Sequence, residues 1–169
     1  MGIDLLLYDI MFRMKVKDVM SRDVVTVGPE TTFKEIGNII FGKTFRHKFS
    51  SVPVIDKNNK LLGIVTEKDL LRRLYPSQKE LIEDFFQASN FSNMEEKIHD
   101  VEKLTAQVIM VKNPITTSPE TPLMRAGSIM LAESKRRLPV MDKNDKLVGI
   151  ISQGDVFRTV FAHLRKRHR

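Results

Sequence analysis

Short apolar runs of two kinds recur along the chain. Ser51 to Ile55 and Leu61 to Thr66 are rich in β-branched residues and flank Asp56-Lys57-Asn58-Asn59-Lys60, the composition of a turn between two strands. The same arrangement returns around Asp142 to Lys146. Other stretches carry apolar residues at helical spacing. Phe33, Ile36, Gly37 and Ile40 follow Thr32 and Glu35, the spacing of a capping box, and Leu123, Ala126, Gly127 and Met130 follow Thr121 and Pro122, which predict an N-cap with proline at the first helical position. These faces are predicted core. At the front, Ile3, Leu6, Leu7, Ile10 and Met11 predict a short amphipathic helix within residues 1–15, docked on the body or on a second subunit. Over 75–105, Ser77 with Glu80 and Ser92 with Glu95 predict two helices, with apolar faces from Leu81, Ile82, Phe85 and Phe86, then Ile98 and Val101.

The pattern is internally repeated. Val19-Met20-Ser21-Arg22-Asp23-Val24-Val25-Thr26-Val27-Gly28-Pro29-Glu30-Thr31 returns ninety positions later as Ile109-Met110-Val111-Lys112-Asn113-Pro114-Ile115-Thr116-Thr117-Ser118-Pro119-Glu120-Thr121. Val52-Pro53-Val54-Ile55-Asp56-Lys57-Asn58 returns as Leu138-Pro139-Val140-Met141-Asp142-Lys143-Asn144 at an offset of 86, as does Leu61-Leu62-Gly63-Ile64-Val65-Thr66-Glu67-Lys68-Asp69 as Leu147-Val148-Gly149-Ile150-Ile151-Ser152-Gln153-Gly154-Asp155. The first copy therefore carries four extra residues, within Phe41 to Ser50. Each copy reads as a strand, a helix, two strands and a closing helix. A single unit of this size buries only about 60% of its unfolded surface, so two copies stacked together make the more credible domain.

Composition narrows the chemistry. With no cysteine among 169 residues, a disulfide framework and a thiolate metal site are both excluded, and a cytoplasmic setting is expected. Met1 to Phe12 is apolar without a basic leader, and no apolar run approaches the roughly 20 residues of a membrane span. Of the net charge of +7, four charges come from Arg165, Lys166, Arg167 and Arg169, a tail (165–169) that reads as a solvated end. Nucleic-acid binding ranks last among the functions considered. His47, His99, His163 and His168 have polar surroundings; no zinc spacing, Gly-x-Ser-x-Gly or Walker lysine motif is present. The chain is not expected to be an enzyme, to need a cofactor or to hold a metal.

The order Thr-x-x-Pro, helix, x-Pro-Val-x-Asp, turn, Leu-x-Gly-h-h-[Thr/Ser]-x-x-Asp (h, hydrophobic), helix resembles the cystathionine β-synthase (CBS) domain, over roughly 16–74 and 106–164, and its tandem occurrence resembles a Bateman module. The resemblance implies an α/β fold of two β-α-β-β-α repeats packed with pseudo-two-fold symmetry, plus the amino-terminal helix and the helical insert. It implies that Thr66 and Ser152 contact ligand phosphate and that Asp69 and Asp155 hold the ribose hydroxyls. It places the adenine ring among Thr26, Val27, Val52 and Pro53 in one cleft and Thr116, Thr117, Leu138 and Pro139 in the other, at the interface of the repeats.

Physical chemistry supports and also rivals this assignment. A helix start offers unpaired N–H groups and a positive dipole end to a phosphate, and a carboxylate on its first turn accepts hydrogen bonds from vicinal hydroxyls. Arg46, His47 and Lys48, and Lys135, Arg136 and Arg137, precede the Pro-Val strands; Arg137 abuts its strand and is the preferred phosphate ligand. The plain alternative is that Thr66 with Asp69, and Ser152 with Asp155, are helix caps and nothing more. The leading expectation is a regulatory module that senses AMP, ADP or ATP and passes the change to a client protein, with a homodimer as the assembled form. S-adenosylmethionine is the alternative ligand. A ligand-independent dimerisation or docking module is the alternative function.

Overall fold

The computed structural model describes residues 13–42, 50–74 and 94–166, and these fall into two compact units, Val25–Asn113 and the described residues up to Val24 together with those from Pro114. In the first unit, α1 (Phe33–Phe41) starts with the expected capping box: Thr32 Oγ1 accepts from Glu35 N, and Glu35 Oε2 accepts from Thr32 N at 2.8 Å. Its Ile36 and Ile40 enter a core with Val27, Val52, Val54, Val65 and Leu70. β1 (Ser51–Ile55) and β2 (Leu61–Thr66) pair antiparallel, with Ser51 opposite Thr66. Their turn closes on Asp56, whose Oδ1 accepts from Asn58 N and Lys60 N, both at 2.8 Å, while Asn59 takes the left-handed conformation (φ 63°) that asparagine tolerates. Then follow α2 (Glu67–Leu74), α3 (Met94–Glu102), α4 (Ala106–Ile109) and β3 (Val111–Lys112), which adds to the sheet in the order β1-β2-β3.

The second unit repeats the scheme. α5 (Leu123–Ala132) buries Leu123, Ala126 and Met130 against β4 (Arg137–Met141) and β5 (Leu147–Ser152), and α6 (Gln153–Lys166) follows. Asp142 Oδ1 closes the turn on Asn144 N and Lys146 N, at 2.8 and 2.9 Å. These two N–H groups, Lys146 first, hold the Asp142 carboxyl below the ordinary aspartate value.

The segments that lead into the copies are exchanged between the units. The lead-in to the first copy belongs to the unit of the second: Val16 N donates to Thr121 O (2.9 Å), Lys17 N to Pro119 O (3.0 Å) and Leu123 N to Met14 O (2.8 Å). The lead-in to the second copy makes the matched bonds in the first unit: Ala106 N to Thr31 O (2.7 Å), Gln107 N to Pro29 O (2.9 Å) and Phe33 N to Leu104 O (2.7 Å). The exchange explains the glycine of each Leu-x-Gly motif. A Cβ on Gly63 would lie 2.6 Å from Met110 Sδ and 2.8 Å from Val111 O, and one on Gly149 2.7 Å from Met20 Sδ and 2.9 Å from Ser21 O. Each lead-in passes so close to its strand that only glycine fits. In the second unit the lead-in is also clasped by charge. Lys15 and Lys17 donate to Glu120 at 2.5 and 2.7 Å, and these bonds, the one from Lys15 foremost, hold the Glu120 carboxyl down at about 2 from 4.5.

Two expectations change. The opening strand of each copy is reduced to one parallel bridge, Val27 with Val54 and Thr117 with Val140, because Pro29 and Pro119 end the extended run two residues later. Thr121 does not cap α5: Pro122 stands at the cap, the Met14 carbonyl takes the Leu123 N–H, and Thr121 Oγ1 turns back to Ser118 Oγ at 3.0 Å. The predicted amino-terminal helix, the caps at Ser77 and Ser92, the apolar residues Leu81 to Phe86, the cluster Arg46, His47 and Lys48, and the end of the basic tail lie outside the described residues.

Candidate functional site

Each β-hairpin delivers its last residue to the start of a helix, and the motif hydroxyl and carboxylate meet there. Thr66 N and Oγ1 donate to Asp69 Oδ2 at 2.9 and 2.6 Å, and Asp69 N donates to Thr66 Oγ1 at 3.3 Å. Ser152 N and Oγ donate to Asp155 Oδ2 at 2.8 and 2.6 Å, and Asp155 N donates to Ser152 Oγ at 3.2 Å. The first helical N–H groups are also satisfied, Glu67 N by Ser50 O at 3.1 Å and Gln153 N by Arg136 O at 3.0 Å. Both sites are thus complete capping boxes in their own right. What each box leaves over is the second carboxylate oxygen.

The surroundings of the two carboxylates differ. Asp69 lines an open cleft of about 310 Å³ with Arg72, Arg73, Ile109 and Val111, at the small end of the range for ligand pockets. Arg73 is steadied by a 3.1 Å bond from Nη2 to Val108 O. The cleft brings together Asp69, two arginines, and Ile109 and Val111 from the exchanged lead-in. In the second unit, Asp155 Oδ1 receives Arg158 Nη2 at 2.5 Å.

The other residues singled out by sequence fall into three groups. Val27, Val52 and Leu138 are buried in the cores of their units, and Pro53 and Pro139 are buried beside them. Their carbonyls and N–H groups are partly committed, with Val27 N on Pro53 O and Thr117 N on Pro139 O, both at 3.0 Å. Thr26 is half-buried and Thr116 exposed. Arg137 is half-buried and stands opposite Ser152 in the β4–β5 pair. Thr117 is buried, and its hydroxyl has no hydrogen-bond partner among the described residues. One residue that motif reading passed over shares this property: Ser51, buried, unpartnered and directly opposite Thr66. Its only sequence signal is its alignment with Arg137 at the offset of 86. Among the described residues no group of three His, Asp or Glu is placed to hold a metal ion, and no helix is long and apolar enough to cross a membrane.

Comparison with known proteins gives these features a context. The structure is similar to CBSX2, a CBS-pair protein from Arabidopsis thaliana, at 26% identity and a TM-score of 0.68 over 92% of this chain and 97% of that one. CBSX2 also has a crystal structure in complex with AMP, matched at a TM-score of 0.66 and 26% identity over 90% of this chain and 98% of that one. A second similar structure is the CBS domain pair of protein MJ0100 in complex with 5'-methylthioadenosine and S-adenosyl-L-methionine, at 25% identity and a TM-score of 0.64 over 89% of this chain and 98% of that one. Among curated sequences, the uncharacterized protein MJ1426 of Methanocaldococcus jannaschii is 26% identical over 87% of this chain and 91% of its own length. Some relatives are far longer, and the chain spans only 24% of one and 23% of another. The family model for the CBS domain matches twice, at residues 16–76 and 105–162, and with both copies of its motif in place the chain belongs to the CBS domain family as a tandem pair.

Proposed function

We propose that this CBS pair is a non-catalytic regulatory module that binds an adenine nucleotide, AMP, ADP or ATP, and passes the change to a client protein. The observation that carries the reading is the composition of the cleft at Asp69. A carboxylate suited to vicinal ribose hydroxyls, two arginines suited to phosphate and two apolar residues, Ile109 and Val111, suited to a base line one opening. CBSX2, which is similar to this chain, is known in complex with AMP. Regulation follows when the ligand binds one conformation better than another, because the difference in affinity is what shifts the population.

S-adenosylmethionine is the second ligand reading, favoured by the complex of MJ0100. It shares adenine and ribose with the nucleotides but lacks phosphate, so its binding would tolerate loss of Arg72 or Arg137. We further infer a homodimer. Equivalent positions of the two copies leave large apolar side chains exposed, Phe41 (59%) with Leu71 (47%) and Leu131 (74%) with Phe157 (63%). Repetition of the same exposure in both copies points to a shared use in association. Sedimentation as a dimer supports this; a monomer at every concentration contradicts it.

The nucleotide reading is tested by thermal denaturation with about 1 mM AMP, ADP, ATP or S-adenosylmethionine, with dATP and GTP as controls. A ligand with a Kd of about 10 μM stabilises by about 2.7 kcal/mol at that concentration, a rise of roughly 5 to 11 °C for a chain of this size. No rise with any adenosyl ligand, from protein shown to be ligand-free, leaves a docking module as the function.

A further inference from the structure

The Thr66–Asp69 and Ser152–Asp155 boxes match bond for bond, yet their neighbours do not. Ser51 Oγ, in a residue only 6% exposed, has no hydrogen-bond partner among the described residues. An orphaned buried hydroxyl is destabilising, and it calls for an explanation when it persists in a folded protein. Ser51 opens β1 directly opposite Thr66, so the two side chains share one face of the sheet. The neighbouring carbonyl, Ser50 O, is bonded to Glu67 N at the first position of α2, which pins the start of the strand to the start of the helix. The unpartnered hydroxyl therefore sits where the strand meets the helix that carries Asp69, Arg72 and Arg73 into the cleft.

The second unit is built otherwise at the same places. Arg137 replaces Ser51 opposite Ser152. Arg158, the counterpart of Arg72, closes on Asp155 Oδ1, and its guanidinium also reaches over the first turn of α6, with Nη1 3.4 Å from where a Cβ on Gly154 would lie. Among the described residues Asp69 accepts through Oδ2 alone.

We propose that the two sites are unequal. The first-unit site fills first, with the Ser51 hydroxyl, closed off from solvent in the ligand-free fold and outside the cleft lining, taking a ligand contact once the cleft is occupied, and Arg158 blocks the matching carboxylate of the second unit until it is displaced. The proposal rests on the adenosyl-ligand reading above and assigns its order of filling. Arg158 is 75% exposed at its side chain, and displacing an exposed ion pair costs at most about 2- to 5-fold in affinity. Arg158 therefore ranks the sites and does not abolish one.

Calorimetric titration of the full chain with AMP, ATP and S-adenosylmethionine tests this, continued with whichever binds. Two steps are expected. Asp69→Asn should weaken the tighter step by about tenfold or more, and Ser51→Ala by about 2- to 10-fold. Asp155→Asn should leave the tighter step in place, and Arg158→Ala should tighten the weaker one by about 2- to 5-fold. Ser51→Ala carries its own control for folding. Because it deletes an unpartnered hydroxyl, the ligand-free variant should melt no lower than the wild type, whereas a hydroxyl with a purely structural task would lower the melting temperature when removed. Ser51→Ala that binds as the wild type does, or a tighter step lost in Asp155→Asn and kept in Asp69→Asn, overturns the proposal. Failure of the wild type to bind any of the three ligands instead removes the adenosyl reading itself, and the order of filling with it.

Discussion

The two units are one design executed twice, and they agree wherever the backbone is the constraint. The hairpin turns close on Asp56 and Asp142 through the same two N–H groups, the lead-ins cross in matched hydrogen bonds, and Gly63 and Gly149 each face a methionine sulfur. They disagree around the two carboxylates. Ser51 stands against Arg137, and an open cleft at Asp69 against the Arg158 ion pair at Asp155. The clasp on the lead-in differs too, since Lys15 and Lys17 on Glu120 align with Thr105 and Gln107 beside Glu30. The two copies thus agree in the scaffold and diverge at the helix starts that carry the two carboxylates.

The largest expected effect tests the shared scaffold. Gly63→Ala and Gly149→Ala should each destabilise by about 1 to 3 kcal/mol or more, because the new methyl meets a backbone carbonyl as well as a flexible sulfur. Gly37→Ala is the control: with nothing within 4 Å of its Cβ, it should stabilise α1 by about 0.5 to 1 kcal/mol. Chemical denaturation measures both, and a neutral Gly149→Ala would show that the close approach of Met20 does not constrain the strand.

A smaller effect sharpens the difference between the units. Thr117→Val copies Val27 of the first unit into the second and removes a buried hydroxyl that has no partner among the described residues. Ligand-free stability should rise by about 1 kcal/mol, and a loss of that size would reveal a hydrogen bond that Thr117 makes within the fold.

The smallest effect concerns the clasp and depends on pH. The Glu120 carboxyl is depressed in the folded protein to about 2, so its contribution is fully present above the ordinary value of 4.5 and is lost as pH falls through about 2. Glu120→Gln should therefore melt below the wild type at neutral pH, with the gap closing as the solution is acidified from 4.5 toward 2. A gap that is constant across that range would assign the effect to packing and not to charge.

What was legible in the sequence was local. The capping box at Thr32 and Glu35, the hairpins and their aspartate turns, and the boxes at Thr66–Asp69 and Ser152–Asp155 are set by residues a few positions apart, and repetition made each visible twice. Exchange of the lead-ins was not legible, because the bonds from Lys15 to Glu120 and from Val16 to Thr121 join residues about a hundred positions apart in a chain whose copies are otherwise alike. The same exchange accounts for Thr121 leaving its expected cap, since the Met14 carbonyl takes the Leu123 N–H. Spacing could not separate the two carboxylates either. Asp69 with Arg72 and Asp155 with Arg158 have the same i, i+3 interval, yet an ion pair closes only in the second unit among the described residues. Ser51 was hidden for a different reason: a serine in a strand carries no motif, and only its burial without a partner marks it.

The proposed order of filling, the Asp69 site before the Asp155 site, is open to direct observation. Amide chemical shifts followed by NMR during addition of AMP, ATP or S-adenosylmethionine read both sites in one sample. Movement of Ser51 and Thr66 to Asp69 at the lowest additions, with Ser152 to Asp155 following at higher ones, is the predicted result. Movement of the second set first, or of neither set with any of the three ligands, would contradict it.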